Sequence, residues 1–439
     1  MQMRILSKSI LLAASAAFLL ETTACSIPSY PETGTDSSSG ASSEEIKINP
    51  IDATLSDDFI MGFDASMVSA IESAGSKFYN NDGTTADVLQ ILKDHGVNCI
   101  RLRIWNNPDN ANAGSPPGNN TYERTKAIAA RAKNLGLKVL LDFHYSDTWA
   151  DPAKQKCPSD WDSDTTIAAL SQHVYDYTKE TLDNLNSAGA LPDMVQIGNE
   201  IDAGMFLTKS DGTAANITAA RGTSNLATIL NKASSAVRAI SSDIEIIVHL
   251  SRGGYSALYT SFFDCYTTHN GANATVQKVD FDTIGLSYYP YYSSHKTLAD
   301  LKSNLSNLQT RYNKKVIIAE ISYGFTKDYG DNTDNEFWTD DEEQAYTNLV
   351  TASNESDFDI TTDGDGNKCI AGTVQNQANV IRSVIEVAAL AGAEGVCYWG
   401  GDWIPATGIA DNWENQALFD FDGRCLKSMN VFSVEGASE

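Results

Sequence analysis

Eight short apolar runs, separated by longer segments of helical periodicity, organise the chain from residue 59 onward. The runs are continuous rather than alternating, which is typical of parallel strands covered on both faces. They predict strands at 59–64, 98–104, 138–143, 194–197, 244–250, 283–287, 316–319 and 395–398. The segments between them predict helices at 85–95, 122–135, 165–188, 226–240, 297–312 and 375–391. Strand and helix in alternation, with eight strands, predict an α/β fold, a single closed (β/α)8 TIM barrel.

The connections that follow the predicted strands are long and rich in Trp, Tyr, Asn, Asp and His, whereas those that precede them are short. In such barrels the active site is built from the loops at the carboxyl ends of the strands. The longest insertion, roughly 323–373, follows the seventh strand. We therefore expect one catalytic barrel over 51–439 with long loops on that face, and no second domain.

The first 25 residues resemble an export signal. Arg4 and Lys8 precede an apolar stretch at 10–20 that is too short for an ordinary transmembrane helix, and Cys25 follows a small-residue junction. A cysteine in that place is similar to the bacterial lipoprotein signal, although Thr22 stands where that pattern prefers an aliphatic residue. Two readings stay open, a lipid on Cys25 that anchors the protein at the cell surface and simple cleavage into the medium.

Residues 26–50 consist mainly of Ser, Gly, Thr, Pro and Glu, too little apolar material to fold alone. We expect a disordered Ser-rich tether. The chain carries 31 Lys and Arg against 57 Asp and Glu, a net charge of −26. Such a polyanion repels nucleic acid and anionic lipid, so contact with a membrane is expected only through the lipid. We expect a monomer whose partner is a polysaccharide.

Two glutamates end predicted strands on the working face. Glu200 closes the fourth strand in PDMVQIGNE, and Glu320 closes the seventh in KKVIIAE. Either residue alone would more often be a surface ion pair or a cap. Both together at the mouth of one barrel match the carboxyl pair of glycoside hydrolysis, one group protonated and one ionised.

Several motifs are similar to those of the arabinogalactan endo-β-1,4-galactanases, a retaining glycosidase family of the (β/α)8 clan with glutamates on strands four and seven. The resemblance covers about 59–431, and the run DFHYSDTWADP is its most specific part. The motifs are GFDAS (62–66), NCIRLRIWNNP (98–108), DFHYSDTWADPAKQ (142–155), VQIGNEI (195–201), IGLSYYPYY (284–292) and NQALFDFDG (415–423). The resemblance implies endo-hydrolysis of β-1,4-galactan with retention, Glu200 as acid/base, Glu320 as nucleophile and no required cofactor.

Other polar residues at strand ends are candidate substrate-binding groups. Asn199 is expected to donate to the sugar 2-hydroxyl. Arg101 or Arg103 would keep Glu320 ionised, and we favour Arg101, with Asp64 or Asp142 as alternative salt-bridge partners. The further candidates for substrate binding are Asp64 at the end of the first strand, Tyr288 as a donor to the nucleophile, His144 and His249 at the rim, and Trp399 and Trp149 as sugar platforms.

Many bacterial members of the family hold a structural calcium ion in the eighth loop. Asp402, Asp411, Asn412 and Asn415 are the candidate ligands here, although their spacing shows no ordered pattern. The six cysteines after Cys25 form no close Cys/His cluster, which argues against structural zinc, and Cys99 and Cys397 are expected as buried thiols.

Two alternative functions remain open. Another β-1,4-glycanase of the same clan would act on xylan, mannan or glucan. A non-catalytic glycan-binding lipoprotein is suggested by the tether and by Gly400-Gly401, which stand where the family usually has Glu-Pro. A binding protein would have no use for both carboxylates, so their joint presence favours the enzyme.

Overall fold

A computed structural model describes residues 45–108, 119–269, 275–435 and 437–438. In these ranges eight parallel strands pair in a closed ring, each beside its successor and the last beside the first. We label them β1 (Ile60–Asp64), β2 (Cys99–Ile104), β3 (Lys138–Phe143), β4 (Met194–Ile197), β5 (Glu245–Leu250), β6 (Thr283–Ser287), β7 (Lys315–Ile321) and β8 (Gly395–Tyr398). The prediction of a (β/α)8 barrel is confirmed.

Helices surround this ring. Over the described residues they are α1 (Val68–Ser73), α2 (Val88–Asp94), α3 (Tyr122–Asn134), α4 (Ile167–Ser187), α5 (Ser224–Ile240), α6 (Ser256–Tyr266), α7 (Leu298–Tyr312), α8 (Thr339–Leu349) and α9 (Val374–Leu390). Threonine side chains cap the first turns of α3, α4, α5, α7 and α9. Sequence periodicity did not predict α1, α6 and α8, which have 6, 11 and 11 residues and so offer few repeats of the pattern.

The interior of the barrel is divided into two layers. The lower layer is apolar and closes the amino-terminal end with Ile60, Cys99, Leu140, Met194, Ile247, Ile317 and Cys397. The upper layer is polar, and its buried side chains include Asp64, Arg101, Asp142, Gln196, His249, Ser287 and Glu320. Because side chains alternate along a strand, residues two apart face the same interior. The apolar layer therefore closes the bottom of the barrel, and the polar and titratable side chains of the upper layer lie at the top.

The amino-terminal segment is partly folded. Ile46 and Ile48 are buried, and Lys47–Ile48 pairs with residues 437–438. The last residues of the predicted tether thus belong to the domain, because Ile46 and Ile48 pack in its hydrophobic core. The Ser-rich average composition of 26–50 did not indicate this. Cys25, the predicted signal and the tether up to residue 44 lie outside the described residues.

Six cysteines in the described part of the chain are buried free thiols: Cys99, Cys157, Cys265, Cys369, Cys397 and Cys425. Cys99 and Cys397 lie in the apolar interior layer, as predicted. Across the described ranges, no helix combines the length and apolarity needed to cross a membrane.

Candidate active site

The loops at the carboxyl ends of the strands enclose a cleft of about 860 Å³. Glu200 and Glu320 both line it, as do four tryptophans. Its principal side chains are His144, Trp149, Asp151, Lys154, Asn199, Glu200, Arg252, Tyr289, Tyr292, Glu320, Asp334, Glu336, Trp399, Trp403, Asn412 and Trp413. A polar floor with aromatic walls is the usual composition of a carbohydrate site.

Glu200 lies just beyond β4, in an uncommon backbone conformation. Its φ is +46°, in the left-handed region, and Gly198 before it has φ +99°. A non-glycine residue there costs free energy, which the Ile201 N–H to His249 O bond of 3.1 Å helps to offset. The turn directs the Glu200 carboxyl into the cleft, although the residue is only 9% exposed.

Glu320 reaches the cleft through an irregularity in β7. The register of β7 against β6 shifts between Ile318 and Glu320, and the pairing with β8 shifts between Ile318 and Ile321. Ile317 faces the barrel interior, so strict alternation would place residue 319 there and turn residue 320 outward. The bulge adds one residue and turns the Glu320 carboxyl inward.

Arg101 connects the nucleophile candidate to two other carboxylates. Its guanidinium lies 2.9 Å from Glu320, 2.8 Å from Asp142 and 2.9 Å from Asp64, and it also donates to Asn199 Oδ1 at 3.0 Å. Burial lowers the pKa of Arg101, but the three carboxylates outweigh burial and raise it. The guanidinium is therefore a fixed positive charge beside Glu320, as expected for Arg101.

The two glutamates differ in what surrounds them. Burial raises the pKa of Glu200 well above its ordinary value, and the charge of Glu320 raises it further. Burial also raises the pKa of Glu320, but there Arg101 and a hydrogen bond from Tyr289 oppose the rise. The pair therefore holds its proton on Glu200 and its negative charge on Glu320.

The prediction that Tyr288 donates to the nucleophile is wrong. Its hydroxyl donates to Lys296 O at 3.2 Å, whereas the neighbouring Tyr289 hydroxyl donates to Glu320 Oε2 at 2.7 Å. Ser287, the last residue of β6, faces the interior, so two-residue alternation carries Tyr289 inward and Tyr288 outward. Strand parity in the sequence could have identified Tyr289.

Asp64 and His249 do not line the cleft, contrary to their predicted substrate-binding roles. Asp64 is 1% exposed and is held by Arg101 and, at 3.5 Å, by Arg103. His249 is completely buried, because its imidazole lies inside the barrel between Asn199 and Ser287 rather than on the rim. Asp64 holds Arg101, which contacts Glu320, and His249 contacts Asn199, so both residues act on cleft residues from below.

Arg101 and Arg103 both face the barrel interior. They are two residues apart on β2, and each is 1% exposed. The Arg103 guanidinium carbon lies 4.4 Å from the ring centre of Trp149, 5.8 Å from that of Trp399 and 6.0 Å from that of Trp403. Arg103 thus supports the aromatic wall through cation–π contacts.

Asn199 and His144 line the cleft, as predicted, but much of their hydrogen-bonding capacity is already used. The Asn199 amide donates to Ala150 O at 2.8 Å, which leaves one hydrogen for a ligand. His144 Nδ1 accepts from Trp105 and from the Ala150 N–H, each at 3.1 Å, and Nε2 lies 3.2 Å from Asp142. Neither imidazole nitrogen is left for a sugar hydroxyl, so His144 contributes its ring surface.

Trp399 and Trp149, the predicted platforms, both line the cleft and form one aromatic wall with Trp403 and Trp413. Ring centres lie 6.1 Å apart for Trp149–Trp399, 5.4 Å for Trp399–Trp403 and 4.7 Å for Trp399–Trp413. Such rings offer flat apolar surfaces of the kind on which pyranose faces stack.

Comparison with known proteins agrees with this geometry. Residues 60–432 match the family described as Glycosyl hydrolase family 53. The chain belongs to glycosyl hydrolase family 53. This confirms the family predicted from the motifs, and the protein is a glycoside hydrolase.

Individual relatives of this family 53 enzyme carry matching names. It is 34% identical to the endo-beta-1,4-galactanase of Bacillus subtilis, over 86% of each chain. It is 32% identical to the arabinogalactan endo-beta-1,4-galactanase of Thermothelomyces thermophilus, over 84% of this chain and 98% of that one. A solved structure, the Ignisphaera aggregans GH53 catalytic domain, matches with a TM-score of 0.73 at 37% identity, over 89% of this chain and 99% of that one.

Several residues that line the cleft of the family 53 enzyme were not predicted, among them Lys154, Arg252, Tyr292 and Trp413. Arg252 has φ +56° and pairs with Asp202 at 3.1 Å, a conformation that no local sequence signal announces. Trp413 comes from the loop after β8 and packs on Trp399, so its position depends on how that loop folds.

The four predicted calcium ligands fit a cation only in part. Asp411 Oδ2 and Asn415 Oδ1 are buried without a hydrogen-bond partner, as ligand oxygens would be. Asp402 Oδ1 is likewise buried without a partner, but its Oδ2 accepts from Met67 N and the carboxyl faces Arg103. The Asn412 amide donates to Glu336 at 3.0 Å. Among the residues described, no three Asp, Glu, His or Cys side chains form a metal-binding group. Calcium binding stays a prediction.

Proposed function

We propose that this family 53 enzyme hydrolyses β-1,4-galactosidic bonds within galactan or arabinogalactan chains, with retention of anomeric configuration. The observation that carries the proposal is the placement of Glu200 and Glu320 in one cleft, with Arg101 and Tyr289 bonded to Glu320. Burial and the charge of Glu320 raise the pKa of Glu200, which favours Glu200 as the proton donor. The names of the relatives support galactan as the substrate.

In the first step, a Glu320 carboxylate oxygen attacks the anomeric carbon while Glu200 transfers its proton to the departing glycosidic oxygen. The products are a glycosyl ester on Glu320 and a shortened chain with a new hydroxyl. Forming the ester removes the negative charge that raises the pKa of Glu200. Glu200, now ionised, accepts a proton from water, and the water oxygen attacks the anomeric carbon and releases Glu320.

Three neighbours support these steps. Arg101 stabilises the Glu320 carboxylate before attack and again when it leaves. Tyr289 donates to Glu320 Oε2, which leaves Oε1 and its remaining lone pairs for Arg101 and the sugar. The free amide hydrogen of Asn199 is available to the 2-hydroxyl, a contact that strengthens in the transition state.

The charges of the cleft support a neutral polysaccharide. Asp151, Asp334 and Glu336 line it beyond the catalytic pair, against two cations, Lys154 and Arg252. Lys154 lies 3.3 Å from Asp151 and Arg252 is paired with Asp202, so both cations are already compensated. A polyuronide chain would meet net repulsion, whereas an uncharged galactan would not.

Products from purified galactan, resolved by size over time, test the proposal. Endo-action gives a rapid fall in chain length with intermediate oligosaccharides, and NMR of the first product shows the β anomer. Xylan, mannan and glucan in parallel identify another β-1,4-glycanase if one of them is cleaved instead. Galactan bound without any release of reducing ends would identify a binding protein.

Substituting Glu320→Gln tests the nucleophile. Turnover is expected to fall by several orders of magnitude, because an amide cannot form the glycosyl ester. A crystal structure is expected to show the two carboxyl groups about 5–5.5 Å apart, the retaining separation. Normal turnover of the variant, or a separation near ~6.5–9.5 Å with inverted product, contradicts the mechanism.

We also propose that the enzyme is exported and anchored through a lipid on Cys25. The apolar stretch at 10–20 and the cysteine after the junction support this location, and galactan is too large to enter a cell intact. Cys25→Ser is expected to move the protein from the membrane fraction to the medium without altering its specific activity. Wild-type protein found wholly in the medium, without acyl label, would leave secretion alone.

The enzyme is proposed to act as a monomer. Its large exposed apolar side chains, within the described ranges, come from separate loops and helices rather than one element: Tyr255, Tyr329, Trp338, Leu390 and Val434. Sedimentation analysis at assay concentration is expected to give the mass of one chain, and a dimer mass would contradict this.

A further inference from the structure

We propose that Arg252 binds the sugar that departs in the first step: its guanidinium donates hydrogen bonds to hydroxyls of the unit whose glycosidic oxygen Glu200 protonates. The inference rests on the proposed function, in which Glu200 is the acid/base. It assigns a binding residue to the departing part of the chain, to which Glu200 itself supplies only a proton.

The backbone of Arg252 has an uncommon conformation that its neighbours maintain. Its φ is +56°, in the left-handed region, which costs free energy in an arginine. Arg252 O accepts from Tyr255 N at 2.8 Å, and the following residue, Gly253, donates to Ser287 O at 2.8 Å and accepts from the Asn304 amide at 2.7 Å. Strain of this kind is concentrated at functional sites, and Arg252 lines the cleft.

The guanidinium of Arg252 is anchored on one side and open on the other. Nη2 donates to Asp202 Oδ2 at 3.1 Å, and Nε donates to Ser251 Oγ at 3.4 Å. Asp202 is itself fixed, because it accepts from the Ser251 N–H at 2.8 Å. With the partners that the described residues provide, these bonds use two of the five guanidinium N–H groups. The Arg252 side chain is 36% exposed, against 4% for Asp202, so the remaining donors are available to a ligand in the cleft.

The order of strands around the barrel places Arg252 on the side of the departing sugar. The proton of Glu200 goes to the glycosidic oxygen, which stays with the departing sugar, so that sugar lies on the Glu200 side of the broken bond. Glu200 follows β4, which pairs with β5, and the loop after β5 carries Arg252. Asp202, the partner of Arg252, donates its N–H to Glu200 O at 2.9 Å. Glu320 instead lies on β7, which pairs with β8, and the loop after β8 carries Trp399.

The chemistry of the departing sugar matches a guanidinium donor. In β-1,4-galactan the glycosidic oxygen is O4 of that sugar, and the O3 hydroxyl and the C6 hydroxymethyl group flank it. These uncharged hydroxyls accept hydrogen bonds, and the charge of Arg252 is already compensated by Asp202. A donor fixed beside Glu200 would hold the glycosidic oxygen in place while the proton is transferred, which contributes to kcat/KM.

The test compares two substrates with Arg252→Asn. Asparagine tolerates the left-handed conformation, so the variant keeps the turn and loses only the guanidinium. On galactan, kcat/KM is expected to fall by about 10- to 100-fold, the loss of a hydrogen bond from a charged donor. An aryl β-galactobioside, whose leaving group carries no sugar hydroxyls, should keep the wild-type kcat/KM, because its two sugars lie on the Glu320 side.

Arg311→Asn is the matched control. Arg311 lies on α7, does not line the cleft, and resembles Arg252 in side-chain exposure, 36%, and in pairing with an aspartate, Asp264, at 2.7 Å. It should leave kcat/KM unchanged on both substrates. Thermal unfolding checks that the variants are folded. If Arg252→Asn is not, Arg252→Gly gives the same comparison, because glycine adopts φ +56° without strain.

An equal loss on galactan and on the aryl substrate would overturn the inference, since it would mean that Arg252 only supports the fold or binds a sugar on the Glu320 side. Unchanged kcat/KM on both substrates would overturn it as well. Failure of the proposed function gives different results. If the wild type cleaves xylan, mannan or glucan instead of galactan, the galactanase proposal fails, and the same comparison with the aryl glycoside of that sugar decides the role of Arg252. Glu200→Gln with normal activity on galactan would refute the acid/base role on which the inference rests.

Discussion

The hydrogen bond from Tyr289 to Glu320 leads to a quantitative prediction. The Tyr289 hydroxyl lies 2.7 Å from Glu320 Oε2, is buried, and stabilises the ionised nucleophile. A hydrogen bond to a charged group contributes about 1.5–3 kcal/mol, and about 1.36 kcal/mol corresponds to one pKa unit. Tyr289→Phe should therefore raise the pKa of Glu320 by about 1–2 units.

The sign follows from linkage. Glu320 attacks only when it is ionised, which holds above its pKa, and the lost donor raises that pKa. The acid limb of the kcat/KM profile should consequently move to higher pH by about 1–2 units, with roughly a 10- to 100-fold loss of activity on that limb. The alkaline limb, which reports Glu200, should move much less.

Tyr288→Phe is the matched control. It removes an adjacent buried hydroxyl, one that donates to Lys296 O instead of a carboxylate. The control should retain the wild-type acid limb, with folding of both variants checked by thermal unfolding. If Tyr288→Phe moves the limb and Tyr289→Phe does not, the assignment of the two tyrosines is wrong.

Two further changes test other parts of the site. Arg101→Lys keeps the positive charge, but a lysine ammonium cannot reach Glu320, Asp142 and Asp64 together. Because a charge-assisted hydrogen bond is lost, kcat/KM should fall by about 10- to 100-fold. Unchanged kinetics would contradict the role of the guanidinium. Gly400→Ala places a Cβ 2.4 Å from the Trp413 ring, so the ring must move and KM for galactan should rise. Gly400 also has φ +76°, which is strained for alanine, so the free energy of unfolding should fall by about 1–3 kcal/mol. Gly408→Ala is the control: it introduces the same backbone strain at φ +79°, but nothing lies within 4 Å of its Cβ, so no ring is displaced.

Periodicity in the sequence was enough to predict the barrel. Apolar runs spaced by helical segments require strands buried on both faces, and few arrangements satisfy that requirement. The same spacing placed Glu200, Glu320, Arg101 and Asn199 at the carboxyl ends of strands. Their proximity follows from barrel closure alone, because all eight strands end at one rim.

Only the tertiary structure decided which way several of these side chains face. Glu320 turns inward through a register shift in β7, and Glu200 through a left-handed backbone conformation after β4. Tyr289, rather than Tyr288, meets the nucleophile because β6 presents Ser287 to the interior. His249 is buried because side chains of neighbouring elements enclose its imidazole, Asn199 and Ser287 among them. The register shift in β7 and the conformation of Glu200 depend on hydrogen bonds between strands that are distant in the chain, so local sequence patterns do not contain them. Tyr289, by contrast, could have been identified from strand parity.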